Sequence, residues 1–470
     1  MRRLALVCVV ALVLAGCAPK RIVRAAAPAT PRVDVDALLR RGCFHCFERA
    51  LSAAQAAGDA QRAFEAAALV VLRAKELGLP VDERIRAMQR LLPPEPGWSE
   101  LLEVITAVPS DELAGERYTR PFMDDFARRR RARDLVESWR ATPDAVPGSA
   151  LFRAYVSLAA TCAIERGETA GATATKTLGE WADAPAIQFL AATCTRNAAL
   201  LASVRAADAD FMDTEYPLGR IALEGRVPDY DESLRHLQAA QEAFPDSIAI
   251  ATALGNLRIQ REEWMDALSV LDAVVARAPQ YRDALLGRVV ALTRLGRYQE
   301  AIAGATHIID LGEWLLGPAY YWRAFSELQL RHLDEAAADR DRAKSLMSNA
   351  AVFLLSGLIE WGQMRLPQAE GEFQQSLTLD FGQCDAALYM GAVRNEMRKR
   401  PEAIAAFKQA IQCYDLSINV RQKAIDDIRS GAGSDAAKAR LIAAQQRAID
   451  EALSQRDEAA RDITAIQDRL

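Results

Sequence analysis

The side chains best equipped for chemistry first meet at Cys43-Phe44-His45-Cys46. Two thiols three residues apart at a helix start suit a redox pair, because a helix N-terminus stabilises a thiolate. The same stretch offers three ligands to zinc. No strand of the sort that carries redox pairs precedes it, and no second ligand pair follows at zinc-site spacing. A structural disulfide or two buried thiols is the favoured reading, with redox and metal roles left open. The only four histidines, His45, His236, His307 and His332, are scattered along the chain. No His-Glu-x-x-His, phosphate-cradling glycine loop or nucleophile elbow is present. Acid pairs such as Asp426–Asp427 sit among basic neighbours. Arg128 to Arg131 and Arg133 form a basic run, but a period of 3.6 residues spreads it around a helix instead of making one stripe. A solvated helix is favoured there, with contact to lipid phosphates or an acidic partner as the alternative. No acid, base and nucleophile combine, so no enzyme, cofactor or metal site is expected.

The start of the chain carries a different chemistry. Arg2 and Arg3 precede an apolar run, Leu4 to Leu14, which ends in Leu14-Ala15-Gly16-Cys17. This resembles a bacterial lipoprotein signal peptide with its lipobox. The resemblance implies cleavage before Cys17 and lipid attachment at Cys17. The apolar run is too short to span a bilayer unaided. Residues 17–35 then form an Ala/Pro-rich tether with Pro19, Pro28 and Pro31, semi-extended in character. Ala18, not Asp, follows the cysteine, which in Gram-negative lipoproteins resembles the default signal for the outer membrane. The expected location is therefore the outer membrane, facing the periplasm.

Of the eight cysteines, Cys8 leaves with the signal and Cys17 takes lipid. Six remain: Cys43, Cys46, Cys162, Cys194, Cys384 and Cys413. An even number in an oxidising compartment suggests disulfides. Cys162 and Cys194 each end the same five residues, Leu-Ala-Ala-Thr-Cys. The net charge of -5 over 470 residues is mild and implies no nucleic acid. Abundant Ala, Leu and Arg, with little β-branched alternation, favour helices throughout.

A small residue just after a turn recurs at Ser233, Ala267, Ala301, Ala336, Ala369 and Ala403, in steps of 34, 34, 35, 33 and 34. Twelve residues before each lies Ile221, Gly255, Val289, Ala324, Gly357 or Gly391. Three before lies Tyr230, Trp264, Tyr298, Leu333, Leu366 or Arg400. Four after lies Leu237, Leu271, Ala305, Arg340, Phe373 or Phe407. This resembles the tetratricopeptide repeat, two antiparallel helices in about 34 residues. Small residues let the helices of a hairpin approach; larger ones fill the layers between hairpins, which must stack to bury them.

The expected fold is all-α: a tetratricopeptide-type hairpin solenoid with a divergent helical N-terminal half and a long C-terminal helix. The expected divisions are a signal (1–16), a tether (17–35), a divergent helical region (36–213), six repeats (214–415) and C-terminal helices (416–470). In the last part Ile442, Ile449, Ile463 and Leu470 keep a seven-residue spacing broken by Arg456, with Leu453 and Ala460 on the adjoining row. This suits a helix capping the open end of the array or binding a partner helix.

Within the resemblance, Cys384 falls at the first turn of one helix and Cys413 at the last turn of its antiparallel mate. These ends meet at the hairpin mouth, so a Cys384–Cys413 disulfide is expected, and Cys162–Cys194 beside it. The first helix of each hairpin lines the concave side. Its inner positions here are Leu286 and Val290, then Tyr321 and Phe325, then Leu354, Leu358 and Trp361, then Leu388, with Asn256 and Asn395 as the polar members. The Lys, Arg and Asn set that grips a peptide carboxylate in some relatives is missing. An apolar, aromatic groove suits an amphipathic helix or an apolar peptide; these residues could equally be core or be covered by the C-terminal helix. The expected function is a non-enzymatic, lipid-anchored scaffold docking protein partners in a cell-envelope assembly. The alternative is a ligand- or glycan-binding lipoprotein using Tyr320, Tyr321, Trp322 and Trp361.

Overall fold

The computed structural model describes residues 33–109, 122–142, 146–164, 167–224, 228–312, 314–431 and 435–468. The signal segment, Cys17 and most of the tether lie outside these residues, as does Leu470. Among the described residues there are 23 α-helices, no β-strand, and no helix long and apolar enough to cross a membrane.

The repeat logic is visible residue by residue. Tyr230, Trp264, Tyr298, Leu333, Leu366 and Arg400 are each the first residue of a helix. Ser233, Ala267, Ala301, Ala336, Ala369 and Ala403, one turn in, are all 0% exposed. A methyl-sized side chain is what lets the preceding helix lie against this turn. The close approach is sharpest where glycine faces a bulky residue. A Cβ on Gly255 would sit 2.7 Å from Leu271, on Gly357 2.4 Å from Phe373, and on Gly391 2.7 Å from Phe407. The chain is thus an all-α, tetratricopeptide-type helical-hairpin solenoid.

The turns inside these hairpins share one backbone solution. Glu262, Gly296, Arg331, Met364 and Arg398 all have φ between 61° and 73°. Only one is glycine, so the other four hold a conformation that costs an L-residue about 1 kcal/mol or more.

The N-terminal half is built differently. Helix Ala60–Glu76 is buried on every side from Ala63 to Lys75, with the other helices packed around it. Its charged residues are inside too: Glu65 and Arg73 are 0% exposed and Lys75 is 1%. Lys75 and Glu65 serve as caps for the ends of neighbouring helices, whose end groups would otherwise lack partners. The Lys75 ammonium donates to the carbonyls of Ile105, Thr106 and Val108 at 2.8, 3.1 and 2.6 Å, closing helix Trp98–Ala107. The Glu65 carboxylate accepts from Ser149 N and Oγ, each at 2.8 Å, at the start of helix Ala150–Ile164. The central helix then abuts the array. Ser247 Oγ donates to the Leu77 carbonyl at 2.6 Å, and a Cβ on Gly78 would lie 2.2 Å from that of Ala249. One apolar cluster accordingly runs from Leu38 to Leu257.

The C-terminus departs from expectation in two ways. The second helix of the last repeat does not stop near Asp415 but runs unbroken from Arg400 to Ser430. On the terminal helix, Asp435–Gln467, the buried row beside Ile449 is Ala452, Ala459 and Ile466; Ala460 is exposed and Leu453 only half-buried. Spacings alternating between three and four (Ile442, Gln445, Ile449, Ala452, Arg456, Ala459, Ile463, Ile466) make a coiled-coil seam against the preceding helix.

Candidate functional site

The inner faces of the first helices of the hairpins form the groove, and its two ends differ. At the first repeats, Leu286 and Val290 join Tyr216, Asn256, Tyr281 and Asp283 around a cleft of about 650 Å³. The approach of the helices is tight: a Cβ on Gly287 would meet Asn256 Oδ1 at 2.7 Å.

In mid-array, Tyr321 and Phe325 flank Trp322, with ring centroids 5.2 and 6.0 Å away. Arg294 lies 5.7 Å from the Trp322 ring and Arg323 5.5 Å from that of Tyr320. Trp361 donates its indole N–H to Glu396 at 3.1 Å. The aromatic faces considered for glycan stacking are therefore engaged largely by this chain's own groups.

At the last repeats the groove is not open. Leu388, 4% exposed, is core and not lining. It shares an apolar cluster with Ala452, Ala459 and Ile466 of the terminal helix, against which Leu354, Leu358 and Trp361 also pack. Burial, with Asp385, Glu458 and Glu451, raises the hydroxyl of Tyr389 above its usual range, so the acidic side of the terminal helix passes this ring. Asn395 is exposed outside the cluster.

The six cysteines are paired: Cys43–Cys46, Cys162–Cys194 and Cys384–Cys413, with Cα separations of 4.9, 5.6 and 5.3 Å. Cys43 also caps its own helix, accepting from Cys46 N at 3.1 Å. His45 faces away, 65% exposed and 3.0 Å from Glu48. His236 pairs with Glu215 at 2.6 Å, and His307 bonds the Pro279 carbonyl. Among the described residues no three metal-ligating side chains converge. Arg128, Arg130, Arg131 and Arg133 are exposed on several sides of a helix that buries Ala132, Val136 and Trp139.

A second cleft, of about 710 Å³, lies in the N-terminal half, walled by Leu77, Ala159, Phe189 and the Cys162–Cys194 bridge. Behind it sits a network with no signature in the sequence. The Arg73 guanidinium donates to Asp213 at 2.6 Å, pairs with Glu76 at 2.8 Å and lies 3.9 Å from the Phe189 ring centroid. Asp213 in turn accepts from Phe44 N at 2.9 Å. Burial pushes the Glu76 carboxyl up to about 7 against the pull of Arg73. Tyr216 and Arg220 line both clefts.

Solved structures to which the chain is similar include the following. TTC0263, a thermophilic tetratricopeptide protein of Thermus thermophilus, is 18% identical at a TM-score of 0.33, covering 39% of this chain and 98% of that one. A tetratricopeptide repeat protein of Parabacteroides merdae is 16% identical at 0.36, covering 52% and 98%. The APC/C hetero-tetramer Cut9–Hcn1 is 14% identical at 0.39, covering 91% and 95%. No protein-family model matches the sequence, and no curated protein sequence does.

Proposed function

We propose that this chain is a non-enzymatic scaffold that docks protein partners on its concave face, held at the outer membrane by lipid on Cys17 and facing the periplasm. The observation that carries the reading is the open cleft at the first repeats. It is mixed in character: Ile259, Leu286 and Val290 offer apolar surface, and Arg220, Asn256, Asp283 and two tyrosines are placed to orient a bound segment. Such a surface suits a partner helix or extended peptide. The three disulfides support an oxidising compartment. The mild net charge gives no footprint for nucleic acid.

The test is co-purification from mildly solubilised membranes, with partners identified by mass. Leu286→Arg with Val290→Asp should lose those partners while keeping the helical spectrum. Recovery of the same partners by this variant refutes groove docking. Separately, Cys17→Ser should leave the membrane fraction; retention there at high salt refutes the anchor.

A further inference from the structure

The terminal helix does more than cap the last repeat. Its 33 residues give it a length of about 50 Å. At one end it is rooted firmly. Ala459 and Ile466 are buried with the last hairpin. Beside them the Cys384–Cys413 bridge and the Tyr414 hydroxyl, donating to Asp385 at 2.6 Å, pin the adjoining helix Arg400–Ser430. At the other end it reaches the opposite side of the array. Arg440 pairs with Asp231 at 2.7 Å, at the start of the first repeat's second helix. Arg447 pairs with Glu262 at 3.1 Å, in the turn of the next hairpin. Glu262 lies two residues from Gln260, which lines the open cleft.

Root and tip are made of different chemistry. The root is covalent and apolar. The tip contacts are ionic and largely exposed: Arg440 and Arg447 are 56% and 60% exposed and Glu262 57%, while Asp231, also paired with Arg261, is 23%. Exposed pairs contribute little each and weaken with salt. Between root and tip the two helices hold together by their own seam, Ile425, Ile428 and Ile449, with Arg421 donating to Gln445 at 3.2 Å. The hairpin is therefore a stiff arm with a fixed base and a weakly held end.

We propose that the C-terminal hairpin, Arg400–Ser430 with Asp435–Gln467, is a clasp: it bridges the first two repeats and the last, and the Arg440–Asp231 and Arg447–Glu262 contacts set whether the array is closed or open. In the closed state it shares the apolar cluster against which Leu354, Leu358 and Trp361 pack, and it comes close to the cleft at Gln260. A partner that fills the whole groove needs the clasp lifted. The proposal concerns the conformation of this chain alone and stands whether or not the anchor and partner readings hold.

The test is the distance between spin labels on non-natural residues replacing Ala443 and Glu242 in the intact oxidised protein. The arm beyond Asp415 is about 22 Å long, so a bend of about 25° moves its tip by about 10 Å. At about 0.1 M salt one short distance is expected. Toward about 1 M, where the screening length drops from about 10 to 3 Å, a longer population should grow. Arg447→Glu should show the longer population already at low salt. Arg447→Glu with Glu262→Arg should restore the short one, which a merely misfolded hairpin would not. One unchanged distance in every variant and at every salt concentration overturns the proposal. So does failure of the charge swap to restore closure.

Discussion

The sharpest test of the packing is Gly391→Ala. Gly391 lies inside helix Cys384–Glu396, where alanine alone would be favoured over glycine by about 0.5–1 kcal/mol. Its added Cβ, however, would sit 2.7 Å from both Cδ1 and Cε1 of Phe407, and that ring is 1% exposed. The ring cannot retreat without displacing its own neighbours, an overpacking cost of about 1–3 kcal/mol. The net expectation is destabilisation by about 1 kcal/mol, the difference of the mid-values of these two effects. Gly371→Ala is the control: it is also helical, but nothing lies within 4 Å of its new Cβ, so it should stabilise by about 0.5–1 kcal/mol. Phe407→Leu alone opens a cavity and destabilises. Combined with Gly391→Ala it makes room for the methyl, so the double variant should lose less than the sum, by about 1 kcal/mol or more. Urea unfolding of the oxidised protein, with amide exchange over residues 384–414, reads all four variants. The same sign for both glycine changes, or strict additivity of the pair, refutes the assigned contact.

Met364 is 70% exposed with φ 61°, so Met364→Gly should relieve left-handed strain and raise stability by about 0.5 kcal/mol in the same assay. Glu327 has an Oε2 with no hydrogen-bond partner among the described residues, and burial beside Asp339 pushes it from 4.5 up to about 7. The folded protein then holds a proton that the unfolded chain releases, so this group's contribution should fall as pH rises from about 4.5 to 7 and stay low above. Glu327→Gln should flatten that slope and be the more stable protein above pH 7, read by Tm against pH; an unchanged slope refutes the assignment. Cys384→Ser with Cys413→Ser should cost up to about 3.5 kcal/mol, the entropy of closing a loop whose ends are 29 residues apart. Non-reducing peptide mapping of the parent should show all three bridges.

The solenoid was legible because one physical demand recurs six times. Each hairpin needs a small side chain where its helices cross, and Ala267, Ala301, Ala336, Ala369 and Ala403 mark it at nearly constant spacing. The bulky partner at the next turn could vary from Ala305 to Phe373, because the residue facing it from the first helix varies inversely, from Val289 to Gly357. The division drawn at Asp415 falls inside one continuous helix for a related reason. The repeat signature says where a second helix begins, but nothing in it says where that helix must end. No glycine or proline interrupts 416–430, and the chain simply continues.

The full burial of helix Ala60–Glu76 and the inward row of the terminal helix were not legible, and both cases turn on what surrounds a helix. Periodicity reports a helix with one wet face. Ala60–Glu76 has none, so its pattern carries no phase, and Glu65, Arg73 and Lys75 read as solvent-facing charges. Their role appears only when other helices bring their ends to Glu65 and Lys75, and Asp213 and Tyr155 to Arg73. The terminal helix fails in the opposite way. Its buried row is Ala452 and Ala459, too small to stand out as a stripe beside Leu453. Yet small residues are what that face requires, since they let the helix lie close against the last hairpin and the rim of the groove. A groove read from one set of helices is thus incomplete until the surface nearest it in space, here contributed by the last residues in sequence, is known. Leu388 was placed on the concave face by the repeat phase; the terminal helix, packed into the same apolar cluster, helps make it core.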